Sequence, residues 1–114
     1  MEDQLQNSIS HESLAGRNPQ AAAFLAKAMA DENRVRILLV LAGGRKSVSQ
    51  LVAALKISQP LASHHLKELK RALLVTIERS GPFIYYDLAD RRIAAILDDL
   101  HELAADLLAN RTSF

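Results

Sequence analysis

Apolar residues return at a helical period along most of the chain and switch to a strand-like pattern between Leu74 and Leu88. Ala21, Phe24, Leu25, Ala28 and Met29 recur at three- and four-residue spacing, which predicts a first helix ending near Ala30. Asn18 stands as its N-cap, with Pro19 in the first helical position. Asp31 is placed to cap a second helix carrying Arg34, Arg36, Ile37, Leu38, Val40 and Leu41, and Gly43-Gly44 stops it. Ser47 opens a short third helix through Leu55 that buries Val48, Leu51, Val52 and Leu55, and Lys56-Ile57 forms a tight turn. Ser58 then caps a fourth helix, with Pro60 in its first turn and Leu61, His65, Leu66 and Leu69 directed inward. Two helices joined by so short a turn make a helix-turn-helix.

After Ala72 the pattern changes. Leu74-Val75-Thr76-Ile77-Glu78 and Phe83-Ile84-Tyr85-Tyr86-Asp87-Leu88 are rich in β-branched and aromatic residues, and Ser80-Gly81-Pro82 lies between them. That is a β-hairpin. A last helix is expected from about Ala89 to Ala109, with Ile93, Ile96, Leu97, Leu100, Leu103, Ala104, Leu107 and Leu108 as its apolar stripe. The fold class is mainly α (α+β), a winged helix-turn-helix in the order α-α-α-α-β-β-α. Residues 1–18 are polar and read as a flexible N-terminal tail, with room for one helical turn between Ser8 and Leu14. Residues 19–110 are expected to form one winged-helix domain, and residues 111–114 a second tail.

Composition narrows the class. A chain of 114 residues holds one hydrophobic core, and 49% hydrophobic with 24% charged residues is enough to fold it. No apolar run reaches the roughly 20 residues that span a bilayer. The opening MEDQLQNSISHES has acids and amides where a secretory signal has bases and an apolar stretch, so a cytoplasmic protein is expected. With no cysteine, disulfides, thiolate chemistry and Cys-ligated metal are excluded.

The formal net charge of +1 hides an uneven distribution. Arg45, Lys46, Lys56, Lys67, Lys70, Arg71 and Arg79 face only Glu68 and Glu78 within residues 45–79, an excess of +5. The rest of the chain sums to −4, most of it between Asp87 and Asn110. A basic segment that coincides with a helix-turn-helix and hairpin points to a polyanion. The fourth helix offers Ser58, Gln59, Ser63, His64 and Lys67 to a major groove, where Gln pairs with adenine and Ser and His reach base edges or phosphates. Lys67, Lys70 and Arg71 suit phosphates, Arg79 sits beside the hairpin tip, and Lys46 completes the candidate DNA-binding set. Ser58 doubles as an N-cap, and Lys70 and Arg71 read equally as solvated helix charges. Of His64 and His65 only one can face outward, and the spacing to Leu61 and Leu69 turns His65 in.

Here the sequence acquires a family resemblance. Ser58-Gln59-Pro60-Leu61-Ala62-Ser63-His64-His65-Leu66-Lys67-Glu68-Leu69 resembles the Ser-Gln-Pro-x-x-Ser-x-His-Leu-x-x-Leu recognition helix of the ArsR/SmtB family of winged-helix repressors. Ala30-Asp31-Glu32-Asn33-Arg34-Val35-Arg36-Ile37-Leu38 is similar to that family's Ala-Asp-x-x-Arg-x-x-Ile-Leu helix start. Leu74-Val75, Arg79-x-Gly81 and Tyr85-Tyr86-x-Leu88 match its wing, so the likeness covers about residues 19–108. It implies a homodimeric repressor on double-stranded DNA, paired through its first and last helices. Phe24, Leu25, Ala28, Ile93, Leu97, Leu100 and Leu107 are then the expected interface. The last helix supports pairing by itself, because its apolar stripe is long enough to serve both core and partner, although it could also pack wholly within one chain. A two-fold dimer sets two recognition helices about 34 Å apart on a palindromic operator. Two departures stand out: Leu73 replaces the glycine usual before Leu-Val, and Pro82 follows Gly81 where a cation is common.

The resemblance also implies where a metal would bind. The positions of the family's thiolate site are Ser47, Ser49 and Val52 here, which excludes soft-metal and thiol-redox sensing there. The last-helix site corresponds to Asp90-x-Arg92 and Leu103-x-x-Asp106, with both histidines missing. Asp98, His101 and Glu102 are candidates for a non-standard site. The ladder Asp98, Glu102, Asp106 is destabilising by about 0.2–0.5 kcal/mol per like-charged pair. It reads as a solvated acidic face, as a partner for Arg91, Arg92 or Arg111 of a second subunit, or as a hard-cation or nickel site. His11 reads as a surface residue of the tail. No cofactor is expected, and the sequence names no inducer.

Other classes fit less well. A winged-helix protein–protein module conflicts with the +5 segment. An enzyme lacks a Cys, a phosphate-cradling glycine loop and a His-Glu-x-x-His motif. Ser63, His64 and His65 are adjacent on one helix, so their side chains diverge and cannot act as nucleophile and base.

Overall fold

The computed structural model describes residues 14–111. His11, most of the proposed turn at Ser8–Leu14, and the tail segments 1–13 and 112–114 lie outside the described residues. Among the described residues from Pro19 on, five helices and one hairpin follow in the expected order. They are α1 (Pro19–Met29), α2 (Glu32–Leu41), α3 (Val48–Leu55), α4 (Gln59–Arg71), β1 (Val75–Ser80), β2 (Phe83–Leu88) and α5 (Arg92–Ala109).

Local chemistry starts the first four helices. Asn18 Oδ1 accepts the Ala21 N–H at 3.0 Å, and Asp31 Oδ1 accepts that of Arg34 at 3.1 Å. Ser47 and Gln50 form a reciprocal capping box, while Ser58 Oγ accepts the Leu61 N–H. Each contact satisfies an amide that the helix itself leaves without a partner. Between α3 and α4 the chain reverses at Lys56, whose φ of +55° is left-handed.

Ile37, Leu38 and Leu41 of α2 form the centre of the core, with Leu51 and Leu55 of α3 and Leu66 and Leu69 of α4 around them. Leu74, Val75 and Leu88 close the core from the hairpin, and Ile93 and Leu97 from α5. On α4 the inward set is Ala62, His65, Leu66 and Leu69; Leu61, expected inside, is exposed at the helix edge. Buried positions spaced by three and four residues select Ala62 over its neighbour.

β1 and β2 pair antiparallel with Val75 opposite Leu88 and Ser80 opposite Phe83. Gly81 takes a φ of +60° and Pro82 follows, so only the first central residue is left-handed, as in a type II′ hairpin turn. Lys46 adds a bridge on the outside of β2, exchanging both backbone hydrogen bonds with Tyr86 at 2.9 and 2.7 Å. The wing is thereby tied to the α2–α3 loop.

Two helix ends differ from expectation. α5 begins at Arg92 instead of Ala89. The Ala89 N–H still reaches back to the Leu74 carbonyl at 2.9 Å, and Asp90 Oδ1 accepts the Arg92 N–H at 2.8 Å. At the end of α4, Leu73 itself supplies the left-handed turn, with φ +66°. The Leu74 N–H reaches the Leu69 carbonyl at 3.0 Å, the six-to-one closure usually built around glycine.

Candidate nucleic-acid interface

At 3.6 residues per turn, α4 has two unlike faces. Gln59, Ser63, Lys67 and Lys70 share the exposed one with His64 beside them, and the opposite face is core. Ser58 is exposed at the N-terminus while its hydroxyl oxygen serves the cap. Arg71 is exposed but holds Glu68 at 3.0 Å, one turn back. Arg79 is exposed on β1 opposite Ile84, next to the hairpin tip. Lys46 is half-buried, and its ammonium donates to the carbonyls of Gly44 and Arg45 at 3.3 and 3.4 Å.

A polar cluster fixes this helix from beneath. His65 is 5% exposed. Its Nδ1 accepts from Arg34 Nε at 3.2 Å, and its Nε2 lies 3.7 Å from Asp31 Oδ1. An acceptor at Nδ1 requires the neutral ring with its proton on Nε2, facing the carboxylate. Burial pushes the His65 pKa below the ordinary histidine value, against the pull of Asp31. The Arg34 backbone N–H chiefly holds the Asp31 carboxyl below its usual range. Arg34 Nη1 also donates to the Ala28 carbonyl at 3.3 Å, so one guanidinium joins α1, α2 and α4. Arg36, two residues on, works similarly, donating to the Leu55 carbonyl at the end of α3 at 2.8 Å. The motif residues Asp31, Arg34 and His65 are thus one structural unit, a contact that sequence spacing does not reveal.

The wing has a brace of its own. Arg45 Nη1 meets Glu78 Oε1 at 2.8 Å, and its guanidinium lies 4.4 Å from the centroid of the Tyr85 ring. Residues 45–79 contain just two acids, and Arg45 and Arg71 take both. The positive excess therefore rests on Lys46, Lys56, Lys67, Lys70 and Arg79. The sequence marks Arg45 only as one of the basic residues; its role follows from the hairpin register that brings Glu78 opposite Tyr85.

On α5 the expected interface residues separate into two groups. Ile93 and Leu97, expected at the interface, are buried in the protomer's own core. Leu100 and Leu107 are exposed, together with Ile96, Leu103 and Leu108. From α1, Phe24 and Leu25 are exposed and Ala28 is half-buried. Leu25, Leu73, Leu74, Ile93 and Ile96, with Asp90 and Arg92, line a groove of about 330 Å³.

Asp98, His101 and Glu102 are exposed, and among the described residues no group of three or more His, Cys, Asp or Glu is gathered to hold a metal. Asp90, at the position of a family ligand, is engaged by Arg92 through Nη2 at 2.9 Å and Nε at 3.1 Å. The Arg92 side chain and backbone hold its pKa at about 2. No helix of the described residues is long and apolar enough to cross a membrane.

A helix-turn-helix whose second helix is polar on its open face, followed by a braced two-stranded hairpin, defines a winged helix-turn-helix protein. The chain belongs to the ArsR family of bacterial regulatory proteins: that family's model matches residues 31–76. The transcriptional activator HlyU of Vibrio cholerae is 36% identical over 87 residues, 76% of this chain and 81% of that protein. The transcriptional repressor SmtB of Mycobacterium tuberculosis is 47% identical over 79 residues. That match spans 69% of this chain and 58% of the SmtB length. Among solved structures, a homodimeric winged helix-turn-helix DNA-binding domain from Mycobacterium bovis superposes with a TM-score of 0.71 at 29% identity. It covers 82% of this chain and 87% of that one.

Proposed function

We propose that the protein is a cytoplasmic, homodimeric transcriptional repressor that binds a palindromic DNA operator. The observation that carries this reading is the two-sided α4. Its buried face is locked by His65 and Arg34, and its open face presents Gln59, Ser63, His64, Lys67 and Lys70. Gln59, Ser63 and His64 supply base-edge contacts, while Lys67, Lys70 and Arg79 meet phosphates. Repression, not activation, is favoured by SmtB, at 47% identity, and by the Bacillus subtilis repressor SdpR, 42% identical over 62 residues. Pairing uses the exposed residues Phe24, Leu25, Leu100 and Leu107, and the M. bovis domain is itself described as homodimeric. Ser63 is exposed while His65 is buried, which supports a binding role and not a catalytic one.

Selection of bound fragments from genomic DNA, followed by fluorescence anisotropy over a salt series, tests this reading. Affinity should fall steeply as salt rises. Ser63→Ala or His64→Ala should cost about 1–3 kcal/mol on selected DNA and little on random duplex. Lys70→Ala should weaken both and lower the salt slope by about one. Salt-independent binding, or equal losses on selected and random DNA, would overturn the assignment.

A further inference from the structure

A cleft of about 310 Å³ lies between α1, α2 and α4, on the flank of the recognition helix. Part of its lining is apolar, from Phe24, Ala28 and Ala72; the rest is Lys27, Arg34, Arg71 and Glu68. Three cations share one carboxylate, and that carboxylate is held by Arg71 at 3.0 Å. Neither Lys27 nor Arg34 has a carboxylate in ion-pair contact among the described residues. Arg34 is held in place through Nε and Nη1 by His65 and the Ala28 carbonyl, which leaves Nη2 without a protein partner there. A fixed guanidinium with a free donor, next to a lysine and an aromatic ring, is suited to a charge-assisted hydrogen bond with an anion. Lys27 alone has an ordinary role, as a cation in the last turn of α1. That role does not account for the apolar wall or for Arg34.

We propose that this cleft is a binding site for a small organic anion, a monocarboxylate with a short apolar body. The carboxylate meets Arg34 and Lys27, and the apolar body covers Phe24, Ala28 and Ala72. An inorganic anion would satisfy the charges but leave the apolar lining in water. The volume lies at the small end of ligand sites, which limits the body to a short chain or one ring. The site does not depend on the DNA-binding reading, and it shares Phe24 with the proposed pairing surface.

Calorimetric titration of the full chain with butyrate, hexanoate and 3-phenylpropionate tests it, with 3-phenylpropionamide and inorganic phosphate as controls. Saturable binding should appear within the carboxylate series, tightening with apolar size. The amide and phosphate should bind roughly tenfold more weakly or worse, the usual worth of one charged hydrogen bond. Lys27→Glu, at an exposed position that the core does not use, should weaken the carboxylate by a similar factor and leave the thermal midpoint nearly unchanged. Ala28→Leu should fill the apolar side and block binding without altering charge. No saturable binding by any of the three carboxylates, equal binding of phosphate, or unchanged affinity in Lys27→Glu would each overturn the site.

Discussion

His65 shows how one side chain can carry both a motif and a pH dependence. Its ring is neutral in the fold because Arg34 donates to it and burial disfavours the charge. The unfolded chain titrates near 6.5, so below that value it binds more protons than the folded one. The stability from the neutral ring is therefore complete above pH 6.5 and is lost as pH falls through the lowered folded value. Asp31 acts in the same direction in stronger acid, below its ordinary 3.8. Urea midpoints should be level at alkaline pH and decline below 6.5. His65→Gln should cost about 1–3 kcal/mol at neutral pH and flatten the slope between pH 5 and 7. An unchanged slope in that variant would place the titration elsewhere. At this scale, caps were legible because Asn18, Asp31, Ser47 and Ser58 each serve an amide three residues away. Arg34 and His65 are 31 residues apart, and nothing in either local sequence announces their contact.

Among the elements, α4 and the hairpin were readable because periodicity and turn chemistry agree there. The start of α5 was not, since Ala89–Arg91 carry no helix-breaking residue; the ladder contact of Ala89 and the carboxylate of Asp90 decide it. The wing adds a prediction. Its outer face is held by Arg45 through Glu78 and Tyr85, and Arg45 and Glu78 are exposed enough that their ion pair contributes little to overall stability. Arg45→Ala should leave the thermal midpoint almost unchanged and accelerate amide hydrogen exchange selectively in Val75–Leu88. DNA affinity should fall several-fold, because Arg79 is then presented on a looser strand. Unchanged exchange in the hairpin would show that Lys46 and Tyr86 suffice to hold it.

For the whole molecule, the sequence could not divide the α5 stripe. Ile93, Leu97, Leu100 and Leu107 share one helical period, and only the three-dimensional packing assigns the first two to the core. Leu97, 3% exposed, and Leu107, 62% exposed, should therefore respond differently to the same change. Leu97→Asp should lose about 3–5 kcal/mol and much of the helical circular dichroism. The double variant Leu100→Asp/Leu107→Asp should stay folded yet sediment as a monomer. Operator affinity should drop by roughly two orders of magnitude when one subunit no longer recruits the other. A folded dimer in that double variant would contradict pairing through α5.

Leu73 brings a conflict between the subunit and the assembly. A leucine in a left-handed conformation costs roughly 1–2 kcal/mol relative to its preferred backbone, and in the single protomer its side chain is 75% exposed. Little within the subunit offsets that local frustration. Its neighbours in the groove, Leu25 and Ile96, lie on the two helices proposed to pair. Leu73→Gly should relax the backbone and raise the urea midpoint of the isolated subunit while shifting the monomer–dimer equilibrium towards monomer. A gain in both would show that the strained residue serves neither level. Opposite signs would identify a position where selection favours association over the comfort of the individual chain.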